Sequence, residues 1–510
     1  LVLSDDRLAR HSPRVRLALA LILLASLLSP APAVDYSAAI AVLERMQRQS
    51  GLAHASLGFA VVPVSDRESP AVQGYYPDRA LVPASTMKAV ITASALELLG
   101  PSFRFTTRLR HTGTVDEDGV LHGSLILQGG GDPTLGETSA PELFESWRAA
   151  VEEQGITSIE GRVIADDSLF GSQMRADGWQ WIDLGNYYAS GSSGLNFARN
   201  EFACRFKTGK AGTVAAFLGT EPTVPGVRIV NEMRVGPKGS GDQGYVYGAP
   251  YGQLLYLRGT VPAGEDTFTI RGALPDPASL CAQAFSEDLA RAGLQVNGRS
   301  TTVRRLRMND EEPPGPGRLI LAQDSPPLEE LIREVNHRSD NLYADSLHRF
   351  LGTIGEAGDG SQAAASRAVV DHWDGQGLDL AGFAMADGSG LARTNTITAR
   401  QMALILHHMA QSPYSEEFRA SLPVAGQSGT LRRIGANSPA AGRVRAKSGS
   451  MDRVLAYCGY VEGDSGTHHA FALLINNFTG PHRSLRPGTV SYTHLTLPTT
   501  RQRCRSRWAP

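Results

Sequence analysis

Several things are scarce in this chain, and each shortage removes a class of protein. Four of its 510 residues are cysteine (Cys204, Cys281, Cys458 and Cys504), too few for a disulfide scaffold, and no C-x-x-C pair suggests a metal. A Cys204–Cys281 bridge stays open in an oxidising compartment. The pairs His407-His408 and His468-His469 are adjacent in sequence and so point apart on a helix or strand. No metal and no cofactor is therefore expected. Positive charge is not in excess either, the net charge being −2, which speaks against nucleic acid as a partner. The N-terminal apolar run, Leu17 to Leu28, is too short to span a bilayer. It follows Arg10, Arg14 and Arg16 and leads into Ala31-Pro32-Ala33, an A-x-A cleavage pattern. Residues 1–33 are thus expected to be a signal peptide that sends the chain to the periplasm, an uncleaved anchor being the other reading. Lysine is the rarest charge, five residues (Lys88, Lys207, Lys210, Lys238 and Lys447) against 44 arginines, so each lysine merits inspection.

What is present starts with Pro83-Ala84-Ser85-Thr86-Met87-Lys88. Ser85 and Lys88 open an apolar stretch, Ala89 to Leu99, that reads as a buried helix. A spacing of three puts both side chains on one helix face, with Ser85 at the N-terminus, where free N–H groups and the dipole favour negative charge. Alone, S-x-x-K is more readily read as an N-cap and a solvated lysine.

Upstream, Asp35 to Arg48 has helical spacing and Ala55 to Val64 reads as a strand. Beyond Gly100 strands are expected at Arg104–Leu109, Val120–Gln128, Ile156–Ala165 and Thr301–Leu306. Gly178 to Asn200 is expected to be irregular, Gly236 to Tyr251 a glycine-rich loop, and Ser279 to Ala292 a helix. Glu311 to Gly317 reads as a linker. Helices then return at Pro327–Asn336, Leu342–Leu351, Ser361–Trp373 and Ala399–Ala410. Three strands follow: Arg443–Ser450, Arg453–Val461 and His469–Phe478. This order predicts an α/β (α+β) fold in which helices layer on an antiparallel sheet. The expected division is 34–104 and 316–490 as two parts of one domain, with 105–315 as inserted, strand-rich domains. The tail, 491–510, has no periodicity and is expected to be non-native.

Two further clusters complete a pattern. Ser339-Asp340-Asn341 sits between helices, and Lys447-Ser448-Gly449, followed by Ser450, sits in a strand pattern. S-x-x-K, S-D-N and K-S-G in that order mark the penicillin-binding proteins and serine β-lactamases. Lys207-Thr208-Gly209 has the letters of a K-T-G but precedes Ser339, so it is expected on the surface of the insert. The chemistry assigns Ser85 as nucleophile and neutral Lys88 as its base, with Lys447 lowering the Lys88 pKa. Ser339 can relay a proton to the leaving amine, and Asn341 can hold the substrate amide. Lys447 and Ser448 can bind a terminal carboxylate, with Gly449 between Ser448 and Ser450. The N–H groups of Ser85 and Ser450 can form an oxyanion hole.

Ser85 and Ser339 lie 254 residues apart, several-fold more than in class A β-lactamases. That gap resembles the class C, type-4 penicillin-binding proteins, the D-alanyl-D-alanine carboxypeptidase/endopeptidases. Segments Leu127–Leu135, Asp166–Phe170, Gly178–Trp181, Gly194–Asn196 and Asp387–Leu391 are similar to that family, and the similarity runs from Asp35 to Pro487. The resemblance implies a transpeptidase-like domain interrupted after the Ser85 helix, and a peptidoglycan stem peptide as substrate. It also implies an acyl-enzyme on Ser85 and β-lactam inhibitors. Asp166 and Phe170 are expected to approach the cleft and read the stem side chain. Ser448 stands where the family usually has Thr. A β-lactamase or esterase on this scaffold, or a non-catalytic peptidoglycan-binding protein, are the other readings.

Overall fold

The computed structural model describes residues 36–48, 51–65, 71–355, 358–463 and 466–480. The leader expected at 1–33 and the tail expected at 491–510 lie outside them. Helix α1 (Ser37–Gln47) precedes strands β1 (Ser56–Pro63) and β2 (Gln73–Tyr75), and then helix α2 (Met87–Leu99). Every residue of α2 from Met87 to Leu96 is buried, as befits a helix that is apolar on all sides. Its few hydroxyls are satisfied internally: Thr92 and Ser94 donate back to the carbonyls of Lys88 and Val90, each at 2.9 Å. Gly100, at φ +77°, ends it in a conformation that suits glycine.

The chain then enters a second body with its own core of Phe144, Trp147, Phe202 and Phe285. Two strands there matter below, β3 (Gln243–Tyr247) and β4 (Leu254–Pro262). The strand Thr106–His111, which enters this body, pairs antiparallel with Arg318–Asp324, which leaves it. That pairing clips the insert shut at its neck. The Glu311–Gly317 linker therefore precedes one more strand of the insert instead of ending it.

Beyond the neck come α3 (Leu328–Arg338), α4 (Asn341–Leu351) and α5 (Ala399–Gln411), then β5 (Val444–Met451), β6 (Val454–Glu462) and β7 (His468–Asn476). The main sheet is antiparallel, in the order β2–β1–β7–β6–β5. Alternation along β1 sends Ala60 and Val62 into the core shared with α2, α3, α4 and α5. Phe59 and Val61 go into a second core shared with Leu43 and Met46 of α1. Burial on both faces explains why β1, β6 and β7 read as near-continuous apolar runs. Among the described residues no helix is long and apolar enough to cross a membrane.

Five sequence expectations change. Ile156–Ala165 is two strands in different sheets, Ser158–Ile159 and Val163–Asp166. Val120–Gln128 is two strands in different sheets, Val120–His122 and Leu125–Gln128. The break falls at Gly123, where a Cβ would come within 1.9 Å of the Thr112 carbonyl. The Thr301–Leu306 strand stops after Thr302, whose hydroxyl accepts from the Arg305 N–H at 3.1 Å and starts a helix, Val303–Met308. The glycine-rich loop Gly236–Tyr251 contains β3. Cys204 and Cys281 are both free and buried in the insert core, and burial pushes the Cys204 thiol up to about 12.

The insert core generates a direct test. Trp147 is buried and meets Phe285 edge-on at 5.3 Å. Trp147→Ala is expected to lower stability by roughly 3–5 kcal/mol, read from urea unfolding; a loss within experimental error would contradict this account of the core.

Candidate active site

A single 3-10 turn, Ala84–Thr86, runs directly into α2. Ala84 is left-handed, with φ +49°, a strained conformation for a residue with a side chain. Half-buried Ser85 follows it. Lys88, one turn on, has no exposed surface. Its Nζ lies 3.0 Å from Ser85 Oγ, donates to Asn341 Oδ1 at 2.5 Å, and donates to the Ser389 carbonyl. Two of these partners can only accept. An ammonium satisfies all three by donation, and a neutral amine does so with two N–H groups on the oxygens and its lone pair on the Ser85 hydroxyl. Burial brings the Lys88 pKa down to about 8, while Asp345, Asp387 and Asp340 pull it the other way.

Asn341 and Ser339 come from the joint between α3 and α4. Ser339 takes the left-handed conformation, φ +61°, that ends α3, and Asp340 caps α4 by accepting from the Tyr343 N–H at 3.1 Å. The Asn341 amide is fixed at both ends, since its Nδ2 donates to the Tyr188 carbonyl at 2.5 Å. The other oxygen of Asp340 accepts from Arg199 of the insert, which also donates to Glu137. Burial lowers the Arg199 pKa, but Asp340 and Glu137 outweigh it and keep the guanidinium charged. Arg199 is reached through three consecutive left-handed residues, Ala198, Arg199 and Asn200. Such strain persists only where the surroundings over-determine it.

The edge strand β5 supplies the rest. Lys447, fully buried, pairs across the sheet with Cys458 and donates to Ser339 Oγ at 2.9 Å and to the Ser448 carbonyl at 2.7 Å. Burial, and then the nearby Lys88, push its pKa well below the ordinary lysine value. Ser448 Oγ donates to Thr430 Oγ1 at 2.8 Å. A Cβ on Gly449 would come within 2.7 Å of the Pro83 carbonyl and 3.1 Å of the Ser85 nitrogen. Glycine there lets β5 lie against the backbone of Ser85.

The loop Asp387–Leu391 closes the cluster from the other side. Asp345 Oδ1 accepts from the N–H groups of Gly388 and Ser389, both at 3.0 Å. Buried Asp387 accepts from the Gly390 and Ala392 N–H groups and from Trp179 Nε1, each at 2.6 Å. These bonds aim the Ser389 carbonyl at Lys88. A cavity of about 540 Å³ opens beside the cluster, lined on one side by Ser339 and Asn341 and on the other by Tyr187, Tyr188 and Arg271.

The sequence reading of Ser85, Lys88, Ser339, Asn341, Lys447, Ser448 and Gly449 thus places residues that the fold brings together, and Ser450 follows on the same strand. Asp166 and Phe170 have partners of their own. Phe170 is 2% exposed and sits under the Arg349 guanidinium, 5.1 Å from its ring centre. Asp166 accepts from the Ser168 N–H at 3.0 Å and closes a turn. Lys207 is exposed at the end of its strand. Sequence reasoning missed Tyr188, Arg199, Asp345 and Asp387. Only the last stood in a segment singled out beforehand, Asp387–Leu391.

The model of the D-Ala-D-Ala carboxypeptidase 3 (S13) family matches residues 39–487. A D-alanyl-D-alanine carboxypeptidase of Actinomadura sp. (strain R39) is 32% identical over 415 residues, 79% of this chain and 74% of that one. D-alanyl-D-alanine carboxypeptidase DacB of Haemophilus influenzae is 26% identical over 410 residues, 78% of this chain and 81% of that one. Crystalline penicillin binding protein 4 (dacB) from Haemophilus influenzae matches the fold with a TM-score of 0.71 at 25% identity, covering 84% of this chain and 91% of that chain.

The closeness of β5 to Ser85 can be tested alone. Gly449→Ala must displace either β5 or the Ser85 turn. Modification of Ser85 by a fluorescent penicillin is expected to slow on the order of 100-fold while the thermal transition persists. Labelling at the unmodified rate would contradict the contact.

Proposed function

The chain belongs to the D-Ala-D-Ala carboxypeptidase 3 (S13) family, a serine-type carboxypeptidase on a penicillin-binding fold, and from that premise we propose how its residues act and on what. The substrate is a peptidoglycan stem peptide ending in D-Ala-D-Ala, or its D-Ala–diamino acid cross-link, and β-lactams acylate the same hydroxyl. The observation that carries the reading is the buried Lys88 amine, 3.0 Å from Ser85 Oγ and bonded to Asn341 Oδ1 and the Ser389 carbonyl.

Ser85 Oγ attacks the penultimate D-Ala carbonyl as its proton passes to Lys88. The carbonyl oxygen, now an anion, is received by the N–H groups of Ser85 and Ser450. The C–N bond breaks, and the leaving amine takes a proton by way of Ser339, which Lys447 orients. Water then attacks the ester on Ser85 and releases the shortened peptide. Asn341 holds the substrate amide, and Lys447 and Ser448 receive the terminal carboxylate. That carboxylate supplies the counter-charge that buried Lys447 lacks, so Lys447 keeps its proton when substrate binds. Lys88 is drawn towards its neutral, proton-accepting form chiefly by its own burial.

On this reading residues 34–104 and 316–490 form the catalytic body, and 105–315 walls one side of the cleft. The N-terminal pattern at 1–33 would deliver the enzyme to the periplasm, where cell-wall peptides are found.

Ser85→Ala is expected to abolish both fluorescent-penicillin labelling and D-Ala release from a pentapeptide, followed by mass spectrometry. Rapid turnover of nitrocefin without a lasting adduct would favour the β-lactamase reading instead. Only neutral Lys88 accepts the Ser85 proton, so the acylation rate is expected to fall as pH drops below about 8 and to level off above it. A rate independent of pH from 6 to about 10 would contradict Lys88 as the base.

A further inference from the structure

The insert carries a band of aromatic rings that the chemistry of Ser85 does not use. Along β3, Val246 points inward and is buried, as do Leu255 and Leu257 of β4. The outward positions would ordinarily be polar on such a sheet. Here they are Tyr245 and Tyr247 on β3, paired directly with Arg258 and Tyr256 on β4. Trp181, 53% exposed, stands at the end of the row, its ring centre 6.3 Å from that of Tyr247, which lies 6.4 Å from that of Tyr245. The Arg258 guanidinium sits over the rings of Tyr247 and Tyr256, at 5.6 and 5.1 Å, and pairs with Glu232 at 2.5 Å.

This band is continuous with the active site. Trp181 begins the arm whose far end supplies Tyr187 and Tyr188 to the cavity, and the Tyr188 carbonyl accepts from Asn341. The arm is fastened to β3. Asn186 Oδ1 accepts from the Val246 N–H at 3.0 Å, its Nδ2 donates to the Ile182 carbonyl at 2.7 Å, and a Cβ on Gly185 would come within 2.1 Å of the Val246 carbonyl.

We propose that Trp181, Tyr247 and Tyr245 form a docking platform for the glycan strand of peptidoglycan, a linear chain of amino sugars. A pyranose ring offers an apolar C–H face bounded by polar edges. Indole and phenol rings match the face, while phenol hydroxyls and the Arg258–Glu232 pair match the edges. A lipid surface would select aliphatic side chains ringed by unpaired lysine or arginine; here the cation is already paired. The stem peptide is covalently joined to the glycan, so seating the sugars raises the local concentration of peptide at Ser85. The inference rests on the peptidoglycan reading of the active site and extends it from the peptide to the polymer.

The probe is insoluble glycan from which the stem peptides have been stripped, incubated with the full chain and sedimented. Wild type is expected to co-sediment. Trp181→Ala and Tyr247→Ala are expected to lose roughly tenfold or more in affinity, with penicillin labelling and turnover of a soluble pentapeptide unchanged. Trp181→Phe and Tyr247→Phe, which keep a ring, are expected to retain binding. Should an alanine variant fail to fold, quenching of tryptophan fluorescence by soluble glycan fragments in wild type, lost in Trp181→Phe, decides the matter. Failure of wild type to bind stripped glycan, or binding unaltered by both alanine changes, overturns the platform. So does loss in those variants of vesicle binding or self-association with no glycan retention in wild type. A wild type that neither labels with penicillin nor cleaves pentapeptide contradicts the active-site reading instead, whatever the glycan does.

Discussion

A buried amine is the constraint on which the rest depends. Removing an ammonium from water is costly unless it is paired and hydrogen-bonded. Lys88 escapes that cost by tending to the neutral form and by meeting three oxygens from three distant parts of the chain. Each oxygen has its own support. Ser85 is placed by the turn into α2, Asn341 by the Asp340 cap and the Tyr188 carbonyl, and the Ser389 carbonyl by the carboxylates of Asp345 and Asp387. Remove the amine from its place and none of these supports has a common purpose. Lys447 is likewise buried and held to Ser339, and the nearby Lys88 helps to hold its pKa down.

The insert takes part in this constraint directly. Its Arg199 grips Asp340, its Tyr188 carbonyl fixes Asn341, and its Trp179 holds Asp387. Both elements that reach Lys88 from outside α2, the Asp340–Asn341 joint and the Asp387–Leu391 loop, are touched by residues between 179 and 199. The entry and exit strands of that region pair with each other at its neck.

Much of this was readable beforehand because the chemistry needs particular side chains. A hydroxyl, an amine, an amide and a second amine leave letters at fixed spacing, and the order S-x-x-K, S-D-N, K-S-G identified the family and the main sheet with its helices. Lysine scarcity pointed the same way, since two of the five are fully buried in the site. Other parts leave no such letters. Tyr188 acts through its backbone carbonyl, which any residue supplies, so no letter marked the arm that reaches the cleft. Arg199 is one arginine among 44, and its role depends on a left-handed turn that no periodicity announces. Strand β3 was hidden by the glycines around it, and with it the alternation of tyrosine and valine. At Thr302 a single capping hydroxyl outweighed the strand propensity of its neighbours.

The rarity of lysine makes the central claim directly measurable. With all five lysines labelled at Cε, a carbon-detected NMR titration of the full chain should show one resonance with a midpoint of about 8. A second, from Lys447, should also fall below the ordinary range, and the resonance near 8 should vanish in Lys88→Met. Five lysines all titrating near the ordinary value of about 10.4 would mean that the amine beside Ser85 stays charged, and would contradict the account.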